Sequence, residues 1–275
     1  MNSYWFKTFL TVFLMGHSLH GFTQEIDLSN WKITIPATKN GKVISVKPPE
    51  IKDFRTNSVL QPFFYEDPED GALVFYAEPQ GSTANSKYSR SELREQMKPG
   101  DDNVNWTFAQ GGSMRGTLAV SEVTQDEVGN YHKVIVMQIH GRLTNAQRDL
   151  IGQKDNNAPP VLKIRWVDGK IVVETKYLKD LKADDQEILH EHAWGNARKR
   201  TFCEAVGYDK FTLEVTVSDG KMEVTLNDQE TFVFDDIHMQ KWGVFENYFK
   251  AGNYFQSRDK GSYAIVKYYD LKTSH

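Results

Sequence analysis

Cysteine is nearly absent from this sequence, since its 275 residues include only Cys203. A disulfide within the chain is therefore excluded, and a lone cysteine outside a recognisable motif does not indicate a catalytic thiol. The sequence also lacks an apolar run of about 20 residues, the length that a membrane-spanning helix needs. It contains no segment rich in proline, serine and glycine that would act as a linker, and no internal repeat.

An excess of positive charge is missing as well. Lysine and arginine total 33 against 37 aspartate and glutamate, which gives a net charge of −4. This balance argues against a nucleic-acid-binding protein, and the basic run Arg198-Lys199-Arg200 is typical of a solvated loop. Aromatic residues are abundant instead, with 16 Phe, 12 Tyr and 6 Trp, and the length suits one large globular domain.

The N-terminal segment is interpreted as a secretory signal peptide. A basic residue, Lys7, precedes a short apolar run, and Gly21 and Thr23 are the small residues expected before a cleavage site. We therefore expect residues 1–23 to be removed and residues 24–275 to form a single domain that is secreted or periplasmic. Cleavage would take the net charge from −4 to −5, because Lys7 is the only charged residue lost. No membrane insertion is expected afterwards.

Helical periodicity is scarce, and residues 178–190 are the best candidate for a short helix. Short alternating segments separated by turn residues dominate instead. Asp168-Gly169 and Asp219-Gly220 predict two-residue hairpins, Asn227-Asp228 is a weaker third turn signal, and Gly129-Asn130 is expected to join a long strand pair. This pattern predicts an all-β antiparallel sandwich with a concave face. The strand candidates are Trp31–Pro36, Val59–Tyr65, Ala72–Ala77, Tyr88–Gln96, Gly116–Val123, Lys133–His140, Trp242–Phe249 and Ala264–Tyr269.

Three of the candidate strands carry a polar face. In an extended strand the side chains alternate, so Tyr248, Lys250, Tyr254 and Gln256 share one face, on which Gly252 leaves room for an approaching group. The segment RSELRE likewise aligns Arg90, Glu92 and Arg94, and the segment VIVMQIH aligns Gln138 and His140. Each strip alone has an ordinary explanation, such as a solvated ion-pair ladder or a structural histidine. Together on adjacent strands they would form a cationic floor for an anionic ligand.

The ordered segments WKITIP, RSELRE, QIH and YFKAGNYFQ, which run from residue 31 to residue 256, resemble the alginate lyases of polysaccharide lyase family 7. The resemblance implies a β-jelly-roll with a substrate groove, and β-elimination of alginate without a redox cofactor. No cofactor and no metal site are expected. Carried over by motif, the resemblance assigns Arg90, Gln138, His140 and Tyr254 as catalytic, and Glu92, Arg94, Lys250 and Gln256 as substrate-binding. Phe255 stands where many members have a small polar residue, and alternation directs it to the core.

The chemistry agrees with these assignments. The proton at C5 of a uronate becomes acidic only when the adjacent carboxylate is neutralised, which Arg90 and Gln138 could do with help from His140. A base then removes this proton and an acid protonates O4. In mannuronate the C5 proton and O4 lie on the same side of the ring, so Tyr254 could serve as both base and acid. In guluronate they lie on opposite sides, so His140 is the better base and Tyr254 the acid. In the resembling family, QIH usually accompanies activity on guluronate, so guluronate or mixed blocks are expected to be preferred.

One long polar segment, residues 141–160, follows His140 directly. Loops of this length are usually functional or disordered. If the segment closes one end of the groove, the enzyme would release small products from chain ends. We expect a monomer with the anionic polysaccharide as its binding partner.

Three other functions would each fit only part of the sequence. A jelly-roll glycoside hydrolase needs two carboxylates near the bond, and QEIDLSN offers Glu25 and Asp27, but Ser29 replaces the third acid of that motif. A non-catalytic alginate- or glycan-binding module would not need a matched base and acid. His190 and His192 form a weak metal motif without an evident third ligand.

Overall fold

The computed structural model describes residues 25–80 and 86–275. The predicted signal peptide lies outside these residues, and the single-domain boundary at residue 24 stays a prediction. No helix in the described part is long and apolar enough to cross a membrane.

The described residues form sixteen strands and two short α-helices, and few residues lie in helix, as predicted. The α-helices are α1 (Asn145–Leu150) and α2 (Ile237–Trp242). In chain order the strands are β1 (Trp31–Lys39), β2 (Lys42–Val46), β3 (Phe64–Glu66), β4 (Leu73–Ala77), β5 (Arg90–Glu95), β6 (Trp106–Thr107), β7 (Gly112–Val123), β8 (Val134–Arg142), β9 (Asn157–Val167), β10 (Lys170–Leu178), β11 (Trp194–Ala205), β12 (Phe211–Ser218), β13 (Lys221–Leu226), β14 (Glu230–Phe234), β15 (Glu246–Phe255) and β16 (Ala264–Ser274).

These strands make two antiparallel sheets. The first sheet has the order β11-β10-β9-β8-β15-β5-β1-β2, with β6 paired to the end of β15. The second sheet has the order β14-β13-β12-β7-β16-β4-β3. The predicted all-β antiparallel sandwich is confirmed.

The core lies between the sheets and follows from alternation along the strands. In β12, for example, Phe211, Leu213 and Val215 are buried while the residues between them are partly exposed. Phe249 and Phe255 of β15 are completely buried, which confirms that Phe255 faces the core. The opposite face of β15 is therefore free to carry polar groups.

The hairpin turns are confirmed. Asp168 and Gly169 join β9 to β10 with φ angles of 48° and 76°, the positive values that two-residue hairpins require. Asn227 and Asp228 join β13 to β14 with φ angles of 51° and 55°. Gly220 lies in the β12–β13 turn, also at positive φ.

Several local predictions are wrong. Residues 178–190 form no α-helix but irregular chain with a 3-10 turn, Glu187–Leu189. The strand predicted over Val59–Tyr65 is mostly turns, and only Phe64–Glu66 is extended. The strands β7 and β8 are not paired, because β7 lies between β12 and β16 in the second sheet while β8 lies between β9 and β15 in the first. A turn signal reports a chain reversal, but it does not say which sheet the chain enters next.

The segment 141–160 is more ordered than expected. Strand β8 continues to Arg142, and β9 begins at Asn157 rather than at Val161. Between them, α1 is capped by Thr144, whose hydroxyl accepts from the backbone N–H of Gln147 at 3.1 Å while the Gln147 side chain accepts from the N–H of Thr144 at 2.8 Å.

Candidate active site

The three polar strands are neighbours in the first sheet, as predicted. Strand β15 lies between β8 and β5, and its residue Lys250 is opposite Gln138 on one side and Arg94 on the other. Tyr254 is opposite Arg90. Directly opposed residues of antiparallel strands share a face, so one surface carries the whole set.

A cleft of about 290 Å³ opens on this surface. All four residues predicted to be catalytic line it. Asn157, Pro159 and Pro160 belong to the segment 141–160 that was expected to border the groove. Sequence reasoning missed Lys163 of β9 and Glu191 before β11, because nothing local marks them as neighbours of the three motifs. The lining residues are Arg90, Gln138, His140, Asn157, Pro159, Pro160, Lys163, Glu191 and Tyr254.

Glu92 lies beneath the cleft and organises its floor. Its side chain is only 2% exposed, and it accepts hydrogen bonds from Arg90 at 2.9 Å, from the Gln138 amide and from the Lys250 ammonium group. Burial alone would raise the pKa of the Glu92 carboxyl, but the charges of Lys250 and Arg90 outweigh it and lower the pKa. Glu92 therefore stays ionised and fixes three donors around it.

Burial and the nearby charge of Arg90 both disfavour the charged form of Lys250. They lower the pKa of its ammonium group, and the ion pair with Glu92 only partly opposes them. Lys250 thus lies buried under the cleft, and its pairing with Glu92 is what favours the charged form.

Arg94 and Gln256 lie at the two ends of the floor. Arg94 is buried, donates to the carbonyl oxygen of Glu95 at 2.9 Å and to Asn105 Oδ1 at 2.9 Å, and stacks over the Tyr248 ring at 4.0 Å. Gln256 donates to the carbonyl oxygen of Tyr254 at 3.2 Å and lines a neighbouring cleft. The substrate-binding roles of Glu92, Arg94, Lys250 and Gln256 stay predictions.

The geometry of His140 determines which ring nitrogen is free. Its Nδ1 lies 2.9 Å from the carbonyl oxygen of Gly141, which can only accept, so Nδ1 carries the hydrogen and Nε2 has the lone pair. The ring stacks on Tyr248 with centroids 5.3 Å apart and planes 10° from parallel. Burial and then the charge of Lys250 lower the pKa of His140 to about 3, so the imidazole is neutral.

Tyr254 is held by two contacts. Its hydroxyl lies 2.8 Å from Ser86 Oγ, and the Arg90 guanidinium stacks over its ring at 3.8 Å. Arg90 also donates to Ser86 Oγ at 2.7 Å, so Ser86 joins the two predicted catalytic residues. Sequence reasoning missed Ser86, since a serine in a polar segment carries no signal of its own.

The residues of the rival functions lie outside this cleft. Glu25 forms an ion pair with Arg55 at 3.1 Å, and Asp27 accepts from the backbone of Ser29 in the irregular segment before β1. His190 and His192 stack on each other at 5.0 Å. Residues 25–80 and 86–275 contain no group of three or more His, Cys, Asp or Glu residues that could hold a metal ion.

Comparison with known proteins decides the family. A family model described as alginate lyase matches residues 26–275. The crystal structure of alginate lyase A1-II', a member of polysaccharide lyase family 7, superimposes with a TM-score of 0.71 at 30% identity, covering 91% of this chain and 96% of that one. This chain belongs to the alginate lyases of polysaccharide lyase family 7.

Two further relatives are also alginate lyases. An alginate lyase of Klebsiella pneumoniae is 24% identical over 91% of this chain and 90% of its own length. A variant of lyase A1-II' with a His-to-Asn and a Tyr-to-Phe replacement, solved with the substrate GGMG, has a TM-score of 0.72 at 28% identity and covers 92% of this chain and 95% of that one. The predicted β-jelly-roll with a substrate groove is confirmed, and the lyase acts on alginate.

Proposed function

We propose that this lyase breaks the 4-O-glycosidic bond of alginate by β-elimination in the 290 Å³ cleft, which leaves a 4,5-unsaturated uronate at the new chain end. The observation that carries the proposal is the convergence of the four predicted catalytic side chains, from three strands, on that cleft. A binding module would not need a neutral imidazole and a phenol on one surface.

Neutralisation of the uronate carboxylate is assigned to Arg90 and Gln138. The Nε of Arg90 is buried and has no hydrogen-bond partner among the described residues. A buried donor of this kind is costly until an acceptor reaches it. A uronate carboxylate entering the cleft would supply that acceptor, and the negative charge that develops on it in the transition state would be stabilised by donors already fixed by Glu92.

Proton transfer is assigned to His140 and Tyr254. The free Nε2 of His140 suits a base that removes the C5 proton of guluronate. Burial is the first cause of the low pKa of His140 and the charge of Lys250 is the second; an anionic substrate beside the ring would offset the second and so raise the pKa. Tyr254 would then donate its phenolic proton to the departing O4, while on mannuronate it would act as both base and acid.

The test is the ultraviolet absorbance of the conjugated unsaturated uronate during digestion of alginate. Tyr254→Phe should abolish the rise in absorbance, while His140→Asn should lose activity on guluronate more than on mannuronate. New reducing ends without a rise in absorbance would mean hydrolysis instead. Binding of alginate without any new chain ends would mean a binding module.

A preference for guluronate or mixed blocks is proposed on the presence of both a histidine and a tyrosine. A related lyase has been solved with the product GGG, which is compatible with this preference. Purified guluronate blocks should be cleaved faster than mannuronate blocks. Faster turnover of polymannuronate would contradict the proposal.

Exolytic action is proposed from the wall that the segment 141–160 contributes. Asn157, Pro159 and Pro160 line one side of the cleft. A closed end would restrict cleavage to chain termini, so small products should accumulate from the start. A spread of long oligomers early in the reaction would indicate internal cleavage.

Secretion and a monomeric state are also proposed. Residues 1–23 have the features of a signal peptide, so the exported protein should begin near Gln24 by mass spectrometry, and light scattering should give the mass of one chain. An N-terminus at Met1 on the exported protein would contradict signal cleavage.

A further inference from the structure

Three side chains from adjacent strands form a stack that ends at the catalytic cleft. Tyr248 of β15 lies directly opposite His140 of β8, and the two rings are 10° from parallel with their centroids 5.3 Å apart. The Arg94 guanidinium of β5 lies over the same tyrosine ring, with its Cζ atom 4.0 Å from the ring centroid. Since β15 lies between β8 and β5, the tyrosine is the middle member of the stack. Of these three residues, only His140 lines the cleft.

The ring of His140 has one hydrogen bond among the described residues, between Nδ1 and the carbonyl oxygen of Gly141 at 2.9 Å. A ring held at a single atom can tilt about that bond, and the tilt moves the other ring nitrogen, Nε2. The flat face of Tyr248 opposes such a tilt, because offset-stacked aromatic rings lose contact when their planes diverge. A displacement of about 1 Å in an active site can cost about a hundredfold in rate. The stack therefore fixes the atom that is to receive a proton.

The Tyr248 ring is held in turn by Arg94. Arg94 is buried and donates to the carbonyl oxygens of Glu95 at 2.9 Å and Asp102 at 3.0 Å. It also donates to Asn105 Oδ1 at 2.9 Å, so the guanidinium is fixed by three acceptors. A cation within about 6 Å of a ring centroid is attracted to the aromatic face. Burial raises the pKa of the Tyr248 phenol, so the ring between the two partners stays neutral.

The same ring suits the charge that His140 acquires when it takes a proton. An imidazolium whose centroid lies 5.3 Å from the Tyr248 centroid is close enough for a cation–π attraction, which the neutral imidazole lacks. An interaction that is stronger in the transition state than in the ground state raises kcat rather than lowering KM. Loss of the aromatic face should therefore act mainly on kcat.

We propose that Tyr248 is a positioning residue of the lyase, which holds the His140 ring so that Nε2 faces the C5 proton of guluronate. Tyr248 needs no contact with the sugar, because it acts through His140, and Arg94 supports it from the next strand. This inference rests on the proposed function, since it supposes that His140 is the base for guluronate. Cleavage of mannuronate, for which Tyr254 would be both base and acid, should depend much less on the stack.

The test compares Tyr248→Leu with Tyr248→Phe on purified guluronate and mannuronate blocks. Leucine removes the flat face, so kcat on guluronate should fall about tenfold further than kcat on mannuronate, with little change in KM. Phenylalanine keeps the face and loses only the hydroxyl, so it should retain the wild-type ratio of the two kcat values. If Tyr248→Leu does not fold, Tyr248→Met replaces it, because methionine fills the space with a flexible chain.

Tyr177→Leu is the matched control. The Tyr177 ring also packs on a histidine, His238, with centroids 6.1 Å apart, but neither residue lines the catalytic cleft. This control should keep the wild-type ratio of kcat on the two blocks. An equal loss on both blocks in Tyr248→Leu, or no loss at all, would overturn the inference while leaving β-elimination intact. A change of the ratio in Tyr248→Phe as large as in Tyr248→Leu would overturn it as well.

NMR of the histidine ring nitrogens gives a readout that is independent of turnover, with His140→Asn used to assign the His140 signals. Wild type and Tyr248→Phe should show the single Nδ1–H tautomer that the bond to Gly141 fixes, whereas Tyr248→Leu should show a mixture of both tautomers. An unchanged tautomer in Tyr248→Leu would exclude the positioning role. If His140→Asn lowered kcat equally on both blocks, the assignment of His140 as the base for guluronate would fail, and the spectra would still decide whether Tyr248 orients the ring.

Discussion

At the scale of single residues, Glu92 has the most consequential position. It was assigned to substrate binding by resemblance, yet it is buried under the cleft and accepts from Arg90, Gln138 and Lys250. A carboxylate buried with two cations and an amide acts as a fixed acceptor that sets their positions. We therefore infer that Glu92 is a positioning residue, which acts on the substrate through its neighbours.

Replacing Glu92 with glutamine should damage both stability and catalysis. The change leaves Lys250 buried without a counter-charge, and breaking a buried ion pair costs about 3 kcal/mol or more of unfolding free energy. We also expect kcat to fall more than tenfold. Without the Glu92 carboxylate, the donor groups around it lose the acceptor that fixes their positions, and catalysis depends on those positions. Urea unfolding and steady-state kinetics measure the two effects.

The control for this change is Glu223→Gln. Glu223 pairs with Lys221 at 2.8 Å on the partly exposed face of the second sheet, where an ion pair contributes little to stability. Wild-type kcat and stability in Glu92→Gln would show that the buried carboxylate is dispensable.

At the scale of elements, β15 depends on the glycine in its middle. The pairing of β15 with β8 is irregular between Ala251 and Tyr254, and Gly252 has a φ angle of 135°. A Cβ atom there would lie 2.7 Å from the Ser91 carbonyl oxygen and 2.9 Å from Phe75 Cδ1. The expectation that this glycine leaves room for a ligand is therefore wrong, because the protein's own neighbouring strand and core fill the space.

Gly252→Ala should lower the unfolding free energy by about 2 kcal/mol, because the backbone conformation is strained for alanine and the methyl group meets fixed atoms. Since Tyr254 and Lys250 lie on the same strand, kcat should fall as well. Thermal unfolding and kinetics provide the measurements.

Gly41→Ala separates the two causes. Gly41 also has a positive φ angle, 73°, but a Cβ there would meet nothing within 4 Å. It should cost about 1 kcal/mol from backbone conformation alone, with normal kcat. Equal losses in the two variants would mean that close packing at Gly252 contributes nothing.

At the scale of the whole molecule, His275 joins the two sheets behind the active site. It follows β16 of the second sheet, and its Nε2 lies 2.8 Å from the Glu95 carboxylate of β5 in the first sheet. Its Nδ1 lies 3.1 Å from the carbonyl oxygen of Gly111, and its ring packs against Trp106 with centroids 5.4 Å apart. Two acceptors facing both ring nitrogens favour the doubly protonated imidazolium.

Stability should therefore depend on pH through His275. Burial alone would lower the pKa of this histidine, but the hydrogen bond and charge of Glu95 outweigh it and raise the pKa. A raised folded-state pKa gives stability that is complete below the unfolded value of about 6.5 and is lost as pH rises through the folded value. As pH rises from about 6.5 through the folded-state pKa of His275, the difference in unfolding free energy between wild type and His275→Gln should therefore shrink.

Unfolding in urea at a series of pH values measures this difference. His192→Gln is the control, since His192 is exposed and pairs with Glu187 within the same surface segment. A difference between wild type and His275→Gln that stayed constant with pH would mean that the charge of His275 does not bind the sheets together.

The sequence by itself determined the features that depend on near neighbours in the chain. Alternation showed which face of β15 enters the core, and Asp168-Gly169 predicted its hairpin because positive φ angles suit those residues. Ordered motifs predicted that four distant residues form one site: Arg90, Gln138, His140 and Tyr254. The resemblance of these motifs to a known family indicated that their strands are neighbours.

Only the tertiary structure decided what depends on contacts between distant segments. The lining of the cleft by Lys163 and Glu191, the contacts of Ser86 with Arg90 and Tyr254, and the burial of Glu92 all depend on segments that are distant in the sequence and meet only in the folded chain. The separation of β7 and β8 into different sheets has the same origin. Local propensity acts over a few residues, whereas the sheet that a strand enters is fixed by which apolar face it can bury against the rest of the molecule.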